Sequence, residues 1–323
     1  MSRGAVGIGV GRLFAAEHAL LRRLFGVRPA VVEEVAIIRR NVHGAAGQKQ
    51  WHCEGKTVFH RRHSNAARQI TMQFPVFKFL HIASLVLIFG GGASAEEETN
   101  SAIVPAPQQG MEKRHAEKVD AIKTHRFDLL MVGDSITHNL ENAEHQKVWN
   151  QFFAPRNAID LGYSGGRTEN TLWNLLNGEL EGQSPKVVTL LIGTNNSDDA
   201  NYPVVHTPEE IFEGTTAVVK LLREKCPAAK ILVLRIFPRT NVYKKPDGTE
   251  RGSAAKRFAT NERAGELVAS LADNEHVFFL DVNRIFLNAD GSIDSKLMPD
   301  LLHPSPEGAL AWARAMEQIR HQF

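Results

Sequence analysis

From residue 127 onward, short apolar runs alternate with stretches that have the spacing of amphipathic helices. The apolar runs cover 129–132, 158–161, 187–192, 231–236 and 277–280. Helical spacing covers 168–176, 208–224, 254–271 and 306–319. Strands that are apolar at successive positions and separated by helices are typical of a parallel sheet with helices on both faces. The pattern predicts an α/β domain built around a five-stranded parallel sheet.

Two segments directly before the predicted strands set the start of the domain. Residues 111–125 predict a charged amphipathic helix whose few apolar contacts include Val119 and Ile122. Residues 96–110 are polar and contain prolines, which is typical of a linker. We therefore place one domain at 111–323, a size that suits a single α/β unit.

A different apolar pattern lies upstream. Residues 72–78 form a short basic start, residues 79–89 an apolar core, and Ala93-Ser94-Ala95 a small-residue exit. This is typical of a secretory signal peptide at 72–95, cleaved after Ala95. A membrane-spanning helix needs roughly 20 apolar residues, so we expect no stable membrane insertion. The pattern predicts a secreted or periplasmic protein.

Residues 1–71 are rich in Arg and His and have no sustained period. Because a signal peptide should begin the protein, we interpret Met72 as the true start and residues 1–71 as a disordered upstream extension. The alternative is a basic extension on a membrane-anchored protein.

Net charge differs between residues 1–71 and the rest of the chain, and the difference excludes one class of function. Residues 1–71 hold 12 basic and 4 acidic side chains, which leaves 26 basic and 32 acidic side chains, net −6, in the remainder. An acidic domain argues against a nucleic-acid binder, which usually carries a clustered basic face. Cys53 and Cys226 cannot form a disulfide framework. We expect Cys226 to be a small buried residue.

Polar residues follow the predicted strands. Gly133-Asp134-Ser135 follows the first strand, a Gly-rich turn over 162–168 the second and Gly193–Ser197 the third, while Asp300–Pro304 precedes the last helix. In open α/β sheets, ligands bind at the carboxyl ends of the strands. These segments are therefore the candidate site.

The candidates together match the needs of acyl transfer. A nucleophilic serine needs a base, and a histidine base needs a carboxylate that fixes its tautomer. Ser135, His303 and Asp300 fill these roles, and the Ser135 amide, the Gly165 amide and the Asn195 side chain are candidate donors to the oxyanion. Taken singly, each residue also fits a structural role, such as Ser135 as a helix N-cap.

Four blocks in this order resemble the SGNH (GDSL) hydrolase superfamily. Residues 133–135 resemble its nucleophile block, Gly165 lies in its glycine block, 193–196 resemble its asparagine block, and 300–303 its Asp-x-x-His block. Residues 172–181 also resemble the catalytic subunits of platelet-activating-factor acetylhydrolase type Ib. The resemblance covers residues 111–323. It implies a three-layer, flavodoxin-like α/β/α sandwich and a serine esterase that needs no metal or organic cofactor.

The resemblance also implies the finer assignments. When the sequence is aligned with the superfamily's glycine block through Thr168, Gly165 takes the position of the glycine that donates to the oxyanion. Gly166, the alternative oxyanion donor, then lies where relatives usually carry an aspartate. Arg167 and Asn196 are expected to contact substrate, with a structural or solvated role as the alternative for Arg167. The expected substrate is a small ester, with acetyl as the acyl group and a carbohydrate as the carrier.

Three other functions fit parts of the sequence. A phospholipid acetylhydrolase or short-chain lipase would use the same residues. A non-catalytic sugar-binding module on this fold would have lost a polar block residue, and none is lost. A phospho-acceptor domain using Asp134 would need an acidic cluster and a lysine at a later strand end, which the sequence lacks.

Overall fold

Five parallel strands form the centre of the part of the chain that the computed structural model describes, residues 99–319. The strands are β1 (Leu129–Gly133), β2 (Ala158–Gly162), β3 (Val187–Leu191), β4 (Lys230–Leu234) and β5 (Val277–Leu280). They pair in the order β2-β1-β3-β4-β5, and every neighbouring pair is parallel. The predicted α/β class and five-stranded parallel sheet are confirmed.

Seven α-helices surround the sheet within these residues. They are α1 (Glu112–Thr124), α2 (Ser135–His138), α3 (Gln146–Val148), α4 (Thr168–Asn174), α5 (Pro208–Lys225), α6 (Ala254–Val268) and α7 (Pro306–Glu317). Single π-helical segments extend α3 at Trp149–Phe153 and α4 at Leu175–Glu179. A two-stranded antiparallel hairpin pairs Tyr243–Lys244 with Glu250–Arg251.

The strands are mostly apolar because both faces of the sheet are covered, with one buried polar residue each in β2 and β3, Asp160 and Thr189. In β1, Leu130 and Val132 face a core formed with α1, α4, α5 and α6, whereas Leu129 and Met131 face a core formed with α2, α3 and α7. Successive side chains of a strand point to opposite faces, so a strand between two layers is expected to be apolar at most of its positions. The molecule is the three-layer α/β/α sandwich that the resemblance implies.

Local capping sets where the longest helices begin. Thr207 Oγ1 accepts from the Glu210 amide and the Glu210 carboxylate accepts from the Thr207 amide, with Pro208 in the first turn of α5. Ser305 accepts from the Gly308 amide at the start of α7. These caps, reciprocal only at α5, satisfy amides that no helical turn can reach.

The segment 99–110, placed in a linker by the sequence analysis, packs on the domain where it is described. Ala102 is fully buried, and its carbonyl accepts from Thr168 Oγ1 at 2.9 Å. The Ala106 amide donates to Glu169 O at 3.1 Å. These contacts hold the segment against the start of α4, beside the Gly-rich turn.

The predictions for residues 1–71 and for a signal peptide at 72–95 lie outside the described residues. Within 99–319, no helix has the length and apolar character needed to cross a membrane. Cys226 is buried as predicted, with 3% of its surface exposed.

Candidate active site

A tight turn at the end of β1 presents Ser135. A Cβ atom on Gly133 would lie 2.2 Å from Thr137 Oγ1 and 2.7 Å from Leu191 O, so only glycine fits there. Asp134 then caps α2 by accepting from the Ile136 amide at 2.9 Å. Ser135 is the first residue of α2, and its own amide has no acceptor among residues 99–319. First-turn amides of a helix have no partner within it, so this N–H is available to a ligand.

Ser135, His303 and Asp300 form one hydrogen-bonded chain. Ser135 Oγ lies 2.8 Å from His303 Nε2, and His303 Nδ1 lies 2.6 Å from Asp300 Oδ2. An ionised carboxylate only accepts, so His303 Nδ1 carries the proton and Nε2 presents its lone pair to the serine hydroxyl. The structure thus brings the three predicted residues together in the tautomer that a general base needs.

The turn that carries Asp300 and His303 is held by its own carboxylate. Asp300 Oδ1 accepts from the amides of Leu302 (3.0 Å) and His303 (2.6 Å). Burial favours a higher pKa for Asp300, but the hydrogen bonds from the His303 side chain, the His303 amide and the Leu302 amide outweigh it and keep the pKa below its usual value. Asp300 is therefore a carboxylate at neutral pH.

Two neighbouring elements fix this turn in place. Thr240 donates its amide to Leu301 O at 3.0 Å, and the buried His145 donates from Nε2 to Pro304 O at 3.2 Å. Leu301 adopts a left-handed backbone with φ of 59°. The anchors on both sides hold this conformation, which side chains rarely adopt.

The Gly-rich turn at residues 163–166 leaves one amide free. The other amides donate as follows: Tyr163 to Gly133 O (3.1 Å), Ser164 to His138 Nδ1 (3.3 Å) and Gly166 to Tyr163 O (2.7 Å). The Gly165 amide has no acceptor among the described residues. Of the two glycines that the sequence left in competition, Gly165 keeps an available N–H and Gly166 does not.

In the same turn, each carbonyl from Ser164 to Gly166 accepts a hydrogen bond from a side chain. Their donors are Gln108 Nε2 to Ser164 O (2.6 Å), Tyr202 OH to Gly165 O (2.7 Å) and Asn195 Nδ2 to Gly166 O (2.9 Å). Gly165 has φ of +77°, and a Cβ atom there would lie 2.9 Å from Tyr202 OH. The conformation of this turn therefore requires glycine at 165.

Asn195 lies at the end of β3 on a loop held by buried groups. One N–H of its side-chain amide is used by Gly166 O, which leaves the second available. The preceding carbonyl, Thr194 O, accepts from Arg239 Nη1 at 2.9 Å and from Ser197 Oγ at 3.0 Å. Arg239 is completely buried. The Asn195 side chain is thus fixed beside the Gly-rich turn.

Arg167 and Asn196 lie in a buried polar network beside the site. Arg167 Nη2 lies 2.5 Å from His206 Nδ1, and its guanidinium stacks on Tyr202 with its carbon 4.9 Å from the ring centre. Asn196 is fully buried and bonds Thr168 and His206. These side chains join the Gly-rich turn to the loop after β3, and their contact with substrate stays a prediction. A solvated Arg167 is wrong, because its side chain is 8% exposed.

The protonation of His206 follows from its partners. Its Nδ1 accepts from Arg167 and Asn196, so its Nε2 carries the proton and donates to Ser101 Oγ at 2.8 Å. Burial, together with the positive charge of Arg167, lowers the pKa of His206. This neutral imidazole ties the N-terminal segment to the network.

A second carboxyl group lies beneath the chain of Ser135, His303 and Asp300. Asp134 is 1% exposed, and burial raises its pKa from 3.8 to about 6, against the hydrogen bond from the Ile136 amide, the charge that His303 carries when protonated and the charge of Arg239. Within 99–319, no group of three or more His, Cys, Asp or Glu side chains has the arrangement to hold a metal ion.

Sequence reasoning missed the residues that hold the site in place. Gln108, His138, Tyr202 and Arg239 all bond the loops that carry the predicted site residues. None of them lies in one of the four blocks. Gln108 lies 57 positions before Gly165 in the sequence, so only the tertiary fold brings it there.

Comparison with known proteins follows the same blocks. A model of the GDSL-like Lipase/Acylhydrolase family matches residues 131–311. The chain is 32% identical over 229 residues to platelet-activating factor acetylhydrolase IB subunit alpha1 of Pongo abelii, covering 69% of this chain and 90% of that protein. It is 31% identical over 236 residues to subunit alpha2 of Rattus norvegicus, covering 71% of this chain and 94% of that protein.

A solved structure agrees on the fold. A GDSL-like lipase from Bacteroides thetaiotaomicron superposes with a TM-score of 0.50 at 17% identity, over 64% of this chain and 95% of that one. The family match, the two relatives and the shared fold confirm the resemblance found in the sequence. The chain belongs to the GDSL-like lipase/acylhydrolase family and is an ester hydrolase.

Proposed function

We propose that this protein is a serine esterase that removes a small acyl group, acetyl, from a carbohydrate or another small ester. The observation that carries the proposal is the pair of hydrogen bonds that link Asp300 to His303 (2.6 Å) and His303 to Ser135 (2.8 Å). A nucleophile, a base and an orienting carboxylate in hydrogen-bond contact are the working parts of covalent acyl transfer.

The chemistry follows from the tautomer. Ser135 Oγ attacks the ester carbonyl while His303 Nε2 takes its proton, and Asp300 stabilises the imidazolium. The oxyanion accepts from the free amides of Ser135 and Gly165 and from the second N–H of Asn195. His303 then gives its proton to the leaving alcohol, and a water activated by His303 hydrolyses the acyl-Ser135 ester.

The acyl group is inferred from the relatives. Both are acetylhydrolases by name, and each aligns over at least 90% of its length. Their names also favour a second candidate, hydrolysis of the acetyl group of platelet-activating factor. The intact hydrogen bonds among Ser135, His303 and Asp300 argue against a sugar-binding module that has lost its catalytic residues.

Export completes the proposal. The pattern at residues 72–95 supports a cleaved signal peptide and therefore an extracytoplasmic ester as the substrate. N-terminal sequencing of the exported protein tests this, with Glu96 as the expected first residue. A mature terminus upstream of Met72 would contradict it.

Turnover of p-nitrophenyl esters tests the enzyme assignment. We expect the acetate ester to be cleaved faster than the butyrate and octanoate esters, and Ser135→Ala to lose at least about 10³-fold in kcat. Equal turnover by wild type and Ser135→Ala would refute the assignment. Acetate release from acetylated xylan and from platelet-activating factor then decides between the two candidate substrates.

A further inference from the structure

We propose that Gln108, on the N-terminal segment that crosses the start of α4, is a positioning residue for the oxyanion site. The inference rests on the proposed function, because it concerns the amide of Gly165 as an oxyanion donor. It extends the working site beyond the four sequence blocks to a segment that the sequence places in a linker.

The peptide between Ser164 and Gly165 carries the proposed oxyanion donor. The carbonyl of Ser164 and the N–H of Gly165 belong to one planar trans unit and point in opposite directions. Gln108 Nε2 donates to that carbonyl at 2.6 Å. Fixing the carbonyl therefore fixes the direction of the N–H, and a donor on the oxygen also polarises the N–H into a better donor.

Gln108 is itself held by a segment with several anchors. Ala106 exchanges hydrogen bonds with α4, its amide with Glu169 O (3.1 Å) and its carbonyl with Asn170 Nδ2 (3.0 Å). Farther upstream, Ala102 is fully buried and Ser101 bonds His206. Since groups on both sides of the Gly-rich turn hold the segment, the amide of Gln108 is presented from a fixed backbone.

The turn provides its own internal comparison. Tyr202 OH donates to Gly165 O at 2.7 Å, which is the carbonyl of the next peptide, whose N–H is already used by Tyr163 O. Losing the Tyr202 bond loosens the turn without touching the peptide that carries the oxyanion donor. Losing the Gln108 bond acts on that peptide directly.

The experiment compares Gln108→Ala, Gln108→Glu, Tyr202→Phe and Gln109→Ala in the full chain. Gln109 is an exposed neighbour of the same residue type, with no hydrogen bond to the turn, and is the matched control. Removing an oxyanion donor outright costs about 10²–10³-fold in kcat. For Gln108→Ala, which only misdirects a donor, we expect about a 10-fold loss in kcat with KM unchanged.

Gln108→Glu should lose more than Gln108→Ala, because its carboxylate faces the Ser164 carbonyl and cannot donate. Tyr202→Phe should lose less than about 3-fold, and Gln109→Ala should match wild type. A short-chain trifluoromethyl ketone, which adds Ser135 Oγ to form a tetrahedral oxyanion, should bind Gln108→Ala more weakly by the same factor as the loss in kcat. Thermal unfolding should shift no more in Gln108→Ala than in Tyr202→Phe, because each variant loses one hydrogen bond to the turn.

Several outcomes would overturn the inference. Gln108→Glu at the wild-type rate would show that the side chain only fills space. A loss that appears in KM, a larger fall in Tm than that of Tyr202→Phe, or an equal loss of kcat in Gln109→Ala or Tyr202→Phe would show a general loosening. If Ser135→Ala is inactive while Gln108→Ala keeps full kcat, the inference fails and the proposed function stands. Activity in Ser135→Ala would instead refute the proposed function.

Discussion

Replacing Asp300 with asparagine isolates the role of the carboxylate in the proposed mechanism. The Asp300 carboxyl has two separate tasks: Oδ1 accepts from the amides of Leu302 and His303, and Oδ2 accepts from His303 Nδ1 at 2.6 Å. Asparagine keeps one acceptor and gains one donor. If its oxygen stays on the backbone amides, its NH₂ faces His303 Nδ1 and forces the proton onto Nε2, where the imidazole cannot act as a base.

The expected loss in kcat/KM follows from the cost of rotating the asparagine amide by 180°. Turning the asparagine amide over restores the correct tautomer but gives up two backbone hydrogen bonds, about 1 kcal/mol each. Losing the charge-assisted bond to the imidazolium costs about a further 1–2 kcal/mol. The total of about 3–4 kcal/mol corresponds to about 10²–10³-fold in kcat/KM. The Asp300 side chain is 55% exposed, so we expect a smaller loss than the roughly 10⁴-fold known for a buried triad aspartate.

The assay is initial-rate hydrolysis of p-nitrophenyl acetate by wild type and Asp300→Asn. Asp273→Asn is the matched control, since Asp273 Oδ1 also accepts backbone amides in a turn, but at the amino end of β5, on the opposite edge of the sheet. We expect the control to keep full activity. A loss below about 10-fold in Asp300→Asn, with Ser135→Ala inactive, would refute the tautomer argument.

Three further predictions concern the groups around the site. Because burial raises the pKa of Asp134 from 3.8 to about 6, the folded protein favours the protonated carboxyl. The stability that this group contributes is fully present below about pH 4 and is lost as the pH rises through 6. Asp134→Asn, which still caps α2, should therefore gain about 3 kcal/mol over wild type between pH 4 and pH 7 in urea unfolding, and parallel pH profiles would contradict this. Gly133→Ala should destabilise the fold by at least about 2–3 kcal/mol, because its Cβ would overlap backbone at Leu191; an unchanged Tm would show that β1 can shift. Arg239→Met should cost about 3–5 kcal/mol in denaturant unfolding, since it leaves Asp198 and Thr194 O without their buried partner, whereas exposed Arg263→Met should be nearly neutral.

The sequence by itself determined the sheet and the chemical groups. Apolar runs give the five strands because a strand covered on both faces is apolar at most of its positions, and this pattern can be recognised without knowledge of the neighbouring elements. Ser135, Asn195, Asp300 and His303 each follow a strand or precede a helix in a short local block. Local pattern was enough to find them, because each block contains its own turn and cap.

Only the tertiary structure decided between the two glycines and placed Arg167, Asn196 and Gln108. Whether an amide is free depends on which carbonyl lies opposite it, and for Gly166 that is Tyr163 O. Arg167 and Asn196 are polar residues in site loops, and only the packed structure shows that both bond His206 and so join the two loops. Gln108 lies in a polar, proline-containing stretch with no periodic signal. Its hydrogen bond to Ser164 spans 56 residues, and such a contact is set by how the chain packs, not by the residues beside it.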